Sequence, residues 1–295
     1  STVRSYRAAA DILTDPMVSR INILNVPGIR DSAVTDFILD EVEEYGKAIY
    51  LMDMAHYDSD TNRVFDNDGR RPAVDKTIEQ FSSRAVDSNY AATYFPDVSI
   101  DDPLNNTRVS VPATVAALGA IGYSDFVAFP WFAPAGFSRG ALDFVRNVEV
   151  RLNAKDRDDL YEAKINPIAT FPNAGFVIFG QKTLQFKKSA LDRVNVRRML
   201  LDVKRQVVEV AEKLLFEPNN PDTRARFIAS ATPRLSLIQS QQGIDQFKIV
   251  MDASNNTTED IESNRLNGRI VLVPTRAVEF IVMDFIITNA GVEFE

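Results

Sequence analysis

At 295 residues the chain is long enough for two domains, and its 45% hydrophobic and 25% charged content is that of a globular protein with ample core. A net charge of −8, from 33 basic against 41 acidic residues, gives no electrostatic case for nucleic acid. The absence of cysteine excludes disulfides, thiolate chemistry and cysteine-based metal sites, and no apolar run approaches the ~20 residues of a membrane span.

The chain begins with Ser1 and no signal peptide is visible, and its first residues do not read as a domain start. A fragment or processed product is therefore expected. Residues 1–19 are polar and mixed, with a short helix over 6–13. Residues 21–26 read as a strand that Pro27-Gly28 breaks. Asp31-Ser32 can cap a helix whose apolar stripe is Val34, Phe37, Ile38, Val42 and Tyr45, stopped by Gly46. Residues 48–53 form a second strand. Strand, helix and strand in that order predict a right-handed βαβ unit and a parallel sheet.

Residues 56–71 read as a polar loop, and Pro72 opens a helix reaching about Val86. Residues 92–95 are a third strand, and 97–108 a loop. A small-residue helix follows over 113–121. The aromatic stretch 126–136, with the only Trp, reads as packing buried under a long loop. A short helix over 156–163 marks a link between domains, so the expected division is 1–155 and 156–295.

In the second half, residues 175–180 read as a strand, and Ser189 with Asp192 as a helix-capping arrangement. The helix that follows carries Val196, Met199, Leu200, Val203, Val207, Val210 and Leu214 on one face, and is expected to be the longest in the chain. Asn220 caps another helix starting at Pro221, with Phe227, Ile228, Ala231, Leu235 and Ile238 inward and a kink expected at Pro233. Residues 247–252 are a strand and 255–258 a turn. The fold class expected is an α/β first domain, an open mixed or parallel sheet with helices on both faces. An α+β second domain, two long helices on a small antiparallel sheet, follows it.

Residues 265–295 hold two β-branched and aromatic runs, 269–273 and 278–287, separated by Pro274-Thr275-Arg276. The second run is apolar on both faces: Val278, Phe280, Val282 and Ile286 on one, Ile281, Met283, Phe285 and Ile287 on the other. Such a strand must be covered on both sides, by the chain's own helices or by another molecule. With so few residues after it, nothing downstream is expected to pair with it. Val278, Phe280, Val282, Phe285 and Ile287 are therefore candidates for adding a strand to a neighbouring subunit.

Catalytic signals are sparse. The single histidine, His56, directly follows a strand, with no serine elbow or cysteine beside it, and reads as a solvated side chain. Asp53, at a strand end, is placed where a doubly wound sheet holds Mg²⁺, but no phosphate loop accompanies it. Residues 58–62 open like a calcium loop. Arg63 then stands where Gly is needed and Gly69 where Glu is needed, so a polar turn is the reading. No Walker A, G-x-G-x-x-G or H-E-x-x-H pattern occurs. No catalytic, cofactor-binding or metal-ligating residue is expected.

The second half resembles the tail sheath proteins of contractile phage tails and related injection machines. The resemblance is carried by Ile165-Asn166-Pro167-Ile168, Phe171-Pro172-Asn173-Ala174-Gly175, Gly180-Gln181-Lys182-Thr183-Leu184, Val194-Asn195-Val196-Arg197-Arg198 and Phe216-Glu217-Pro218-Asn219-Asn220. Gln242-Gly243, Asn255-Asn256, Asn267-Gly268 and Val278-Glu279-Phe280-Ile281 continue the series. In the first half, residues 23–28, 112–123 and 133–136 look like the family's central α/β domain. Phe179 stands where the family usually has Trp, and the family's N-terminal arm has no counterpart. The resemblance implies a structural subunit without catalysis, which polymerises around an inner tail tube and contracts to drive it through a cell envelope during genome delivery. Implied partners are other copies of the chain, the inner tube protein, and baseplate and tail terminator proteins, with neither nucleic acid nor membrane insertion. The implied location is the virion tail, assembled in the host cytoplasm. Two other readings stay open: a hydrolase using Asp53 and His56 on the first α/β domain, and a cell-surface-binding module.

Overall fold

The computed structural model describes residues 2–58, 71–276 and 279–295. They divide into two compact units, residues 1–198 and 199–295. In the first, α1 (Thr2–Leu13) leads to β1 (Ile23–Asn25), α2 (Ser32–Tyr45) and β2 (Ile49–Leu51). The Asp31 carboxylate accepts from Ala33 N–H at the start of α2, and Gly46 closes the helix at φ 67°. That is the left-handed conformation glycine adopts without a Cβ clash. Strands β1 and β2 are parallel, as the βαβ reading requires. After α3 (Val74–Ser83), β3 (Ala91–Phe95) pairs parallel with β2.

The expected loop at 97–108 is a hairpin instead. Strands β4 (Val98–Asp102) and β5 (Thr107–Val111) pair antiparallel around a turn at Pro103–Asn106. The polar residues that suggested a loop are the turn and the outward half of two short alternating strands. After α4 (Ala113–Val127) and α5 (Gly136–Arg139), β6 (Val145–Val148) joins β4 to complete a three-stranded sheet. The aromatic stretch is not uniformly buried. Trp131 is, stacked on Phe129, but Phe126, in the last turn of α4, is 88% exposed.

Helix α6 (Ala154–Glu162) has the capping box its Asn153 and Asp156 allow. Then β7 (Ile165–Phe171) and β8 (Gly175–Ile178) form a hairpin. Strand β7 pairs parallel with β3, giving a five-stranded sheet β1-β2-β3-β7-β8 in which only β8 runs antiparallel. The division between units therefore falls after Arg198 rather than at 155/156, because β7 finds its backbone partners in the first sheet. The core of this unit gathers Ile38, Val42, Tyr50, Met52, Phe95, Leu160 and Ile165.

A short turn of 3₁₀ helix (Ala190–Asp192) precedes α7 (Val194–Ala211), which crosses the division between the units. In the second unit, α8 (Pro221–Ser240) has its cap from Asn220 and is longer than α7, correcting the sequence expectation; the helix continues through Pro233. Strand β9 (Ile244–Val250), α9 (Thr258–Glu262), β10 (Leu266–Pro274), β11 (Ile281–Thr288) and β12 (Gly291–Phe294) follow. Thr257 makes the expected turn at 255–258 the cap of α9. The sheet is antiparallel throughout, in the order β12-β11-β10-β9. Met199, Leu200, Val203 and Val207 of α7, Phe227 and Leu235 of α8, and Ile270, Leu272, Met283, Phe285 and Ile287 of the sheet are all buried.

Candidate functional site

Strand β11 is the element that sequence pattern marks for partner binding. Its pairing with β10 is intramolecular: Arg269 faces Asp284, Gly268 faces Phe285 and Leu266 faces Ile287. The expectation that nothing downstream pairs with it is wrong. The chain turns after Thr288, and β12 lies against residues 285–288, with Glu295 N–H donating to the Asp284 carbonyl. A turn of two residues suffices for an antiparallel hairpin.

The candidates separate by face. Phe285 and Ile287 are core residues, with the Phe285 ring 5.2 Å from that of Phe227 and 6.1 Å from that of Phe294. Phe280 and Val282 are 68% and 52% exposed, so cover within the chain exists on one face only. Val278 lies outside the described residues. On the edge of β11 away from β10, β12 reaches no further than Asp284, and among the described residues no strand pairs with residues 281–283 there. The Arg269 guanidinium forms a fork on Asp284 (2.6 and 2.9 Å) and fixes the register on the outer face.

The sequence motifs have structural employment. In the second unit, Asn219 Nδ2 donates to Asn256 Oδ1 (3.1 Å) and to the Arg265 carbonyl (2.7 Å), while Arg224 donates to Asn219 Oδ1. Asn256 Nδ2 donates to the Asn267 carbonyl, and Asn267 N–H returns to Asn256 Oδ1 (2.9 Å). Three motifs separated in sequence thus form one hydrogen-bonded network that ties the start of α8 to the β9–β10 connection. In the first unit, Asn166 receives Lys182 N–H and donates to the carbonyls of Thr93 and Lys182, linking the two ends of the β7–β8 hairpin to β3. Asn195 holds the Trp131 carbonyl (3.2 Å), and Arg198 forks onto Asp125.

The carboxyl ends of β1, β2 and β3 meet where an open α/β sheet commonly binds ligands. Here the chain's own groups occupy the Asp53 end of that edge, beside an open cleft lined by Arg30, Ala55, Tyr57, Phe81 and Arg84. Gly28 N–H and the Thr114 hydroxyl donate to the two oxygens of Asp53 (2.8 and 2.9 Å). Burial pushes the Asp53 carboxyl above its ordinary value, against the lowering effect of the Gly28 hydrogen bond, Arg30 and Thr114. His56 is not solvated, as the sequence suggested, but only 3% exposed. Its Nδ1 lies 3.1 Å from Glu149 Oε2, its Nε2 lies 3.9 Å from Asp97 Oδ1, and its ring meets Phe95 edge-on at 4.8 Å. Arg30 bonds Asp97 Oδ2 (2.5 Å), and Ala113 N–H bonds Asp97 Oδ1. Residues 56, 97 and 149 are too far apart in sequence for any spacing rule to have joined them. Of the calcium-like stretch 58–69, residues 59–69 lie outside the described residues.

Comparison with known proteins supplies a family. Residues 187–288 match the family model for the phage tail sheath C-terminal domain. The chain is 34% identical over 221 residues to the tail sheath protein of Vibrio phage KVP40, covering 75% of this chain and 32% of that protein. It is 30% identical over 211 residues to the tail sheath protein of Enterobacteria phage T4, covering 72% and 31%. It thus spans about a third of the length of the curated relatives it matches. Among solved structures, the helical sheath of the anti-feeding prophage in its contracted state aligns with a TM-score of 0.71 at 20% identity, over 94% of this chain and 72% of that one. The sheath complex of an extracellular contractile injection system, PVC, contracted, aligns at 0.70 and 20%, over 93% and 77%. At that identity the likeness establishes the fold.

Proposed function

The chain belongs to the contractile tail sheath family, and from that premise we propose that it is a structural subunit of a contractile tail sheath, with no catalytic role. In this reading copies of the chain polymerise around an inner tail tube and contract against a baseplate, driving the tube through the host envelope. The subunit works as part of the virion tail, assembles in the host cytoplasm, and also meets a terminator protein at the tail end. Contraction then means two packings of folded subunits, the second more stable than the first. The observation that carries the reading is the 34% identity over 221 residues, 75% of this chain, to a phage tail sheath protein.

Within that reading, the open edge of β11 is a joint between subunits. The N–H and C=O of Val282, which face away from β10, offer main-chain hydrogen bonds to another strand, and Phe280 and Val282 present the apolar side chains that set its register. Phe285 and Ile287 contribute as core, holding the strand in place.

The test is electron microscopy of the chain expressed alone and with its inner tube protein. Rings or tubes are expected. Monodisperse subunits at high concentration in the presence of tubes would refute the self-assembly. A Phe280→Asp, Val282→Lys double variant should keep its fold, since both side chains are exposed, yet lose assembly. Tubes of normal order from that variant would remove β11 from the joint while leaving the sheath reading intact.

A further inference from the structure

The cluster at the carboxyl ends of β1–β3 has a composition that the sheath role does not use. His56, Asp97 and Glu149 each offer a ligand atom, and these atoms lie within 4.8 Å of one another. All three are nearly closed to solvent, the side chains of Asp97 and Glu149 being only 12% and 11% exposed. A tetrahedral ion holding nitrogen and oxygen at ~2.1 Å separates its ligands by roughly 3.4 Å. The imidazole now lies between the two carboxylates, Nδ1 3.1 Å from Glu149 and Nε2 3.9 Å from Asp97, so an ion held by a single ring nitrogen requires one carboxylate to swing to the other's side.

The charge balance points the same way. Three carboxyl groups, Asp53, Asp97 and Glu149, share this region with one guanidinium, Arg30. Arg30 pairs with Asp97, which leaves Glu149 facing only the His56 imidazole, and a buried carboxylate in a medium of low dielectric is paired or coordinates a metal. The surrounding bonds are of the kind that orient metal ligands. Arg30 and Ala113 N–H hold Asp97, and Glu149 N–H donates to the Asp97 carbonyl (2.9 Å). Phe95 packs against the ring of His56.

We propose that His56, Asp97 and Glu149 form a structural binding site for one divalent transition-metal ion of the zinc class. The ion takes one ring nitrogen of His56 and one oxygen from each carboxylate, after ligand atoms that now lie up to 4.8 Å apart close by as much as about 1.4 Å. A mixed imidazole and carboxylate set suits zinc or manganese better than magnesium or calcium, which take oxygen alone. Bound there, the ion joins the segment after β2, the β3–β4 junction and the segment after β6. It thereby fixes the three-stranded sheet against the five-stranded one inside the first unit. The proposal is independent of the sheath reading.

The sequence makes the test unusually clean, because the chain has one histidine and no cysteine. The chain is stripped with a chelator and titrated with Zn²⁺ by equilibrium dialysis, with thermal unfolding followed in parallel. One ion per chain and a raised unfolding midpoint are expected, both abolished in His56→Gln and weakened at least about tenfold in Glu149→Gln. No saturable binding, or binding unchanged in His56→Gln (an adventitious ion only), overturns the proposal. Should the variants not fold, pulsed electron paramagnetic resonance of Cu²⁺ bound to the unaltered chain replaces them. Modulation from an imidazole nitrogen can arise only from His56, and its absence overturns the proposal equally.

Discussion

Gly268→Ala isolates a single contact in the second unit. A Cβ on residue 268 would lie 2.2 Å from Phe285 Cζ and 2.6 and 2.7 Å from the two Cε atoms. Gly268 and Phe285 are cross-strand partners, so the ring lies flat over the glycine and cannot swing away without leaving the core, where it is 1% exposed. Two effects oppose each other. Replacing Gly by Ala within a strand ordinarily stabilises by roughly 0.5–1 kcal/mol through chain entropy. Forcing a methyl into a packed site costs about 1–3 kcal/mol, and the Phe285 ring would also give up part of its contact with Phe227. The packing cost wins, for a net loss of about 1–2 kcal/mol. In a unit of this size that lowers the unfolding midpoint by roughly 5–15 °C. The assay is hydrogen exchange of peptides from β10 and β11, with fluorescence of Trp131 as a reporter of the first unit, which should be unmoved. Phe285→Leu in the same chain should recover much of the loss, giving a coupling well outside additivity. A Gly268→Ala chain as stable as the parent, or more so, would mean the ring does not occupy that space.

Three further outcomes are expected of the same fold. Leu200→Ala should cost about 2–5 kcal/mol in chemical denaturation, because Leu200 lies in the buried stripe of α7, and a change below about 0.5 kcal/mol would put that face elsewhere. Asn219→Ala removes two donors and one acceptor from a buried network and should cost about 1–3 kcal/mol, seen as faster exchange across residues 252–267. Asp53 carries a carboxyl whose folded pKa burial raises above the ordinary 3.8, so the folded state holds that proton more tightly than the unfolded chain. Its contribution is therefore full below pH 3.8 and falls as pH rises towards the raised value. The stability of the parent relative to Asp53→Asn should decline through that window, and a difference that grows with pH would reverse the assignment.

The parts of this fold legible in sequence are those set by local chemistry. Asp31 and Gly46 bracket α2, and Asn220 with Pro221 opens α8, because caps act within one turn. The parallel β1–β2 pair was readable because a single helix separates two apolar runs. What escaped was decided by distant partners. Strands β4 and β6 are short and half-polar, and only their pairing makes them strands. His56 looked solvated because its neighbours in sequence are polar, whereas its neighbours in space are Phe95, Asp97 and Glu149.

The motif series illustrates why family resemblance was stronger than any chemical reading. A catalytic motif concentrates reacting groups at one point. The motifs here are spread from residue 166 to residue 268, and each resolves into an anchor: Asn166 on β3, Asn195 on the Trp131 segment, Asn219 with Asn256 on the start of β10, Gly268 beneath Phe285. Each satisfies buried backbone groups or clears space for a ring, and none aims a reactive atom into a cavity. Such a pattern specifies a rigidly held shape, and the proposed sheath role, in which subunits repack as folded bodies, would use that rigidity. Interiors are bistable at their interfaces and not continuously deformable, so the more firmly each unit is tied, the more of a transition is carried by the contacts between subunits. Asparagine networks suit this, since a hydrogen-bonded polar cluster fixes one geometry where an apolar core tolerates several, even with the Asn267 Oδ1 buried and without a partner among the described residues. Leaving the network half-made, as Asn219→Ala does, should therefore loosen the order of assembled subunits by more than the loss of stability alone accounts for.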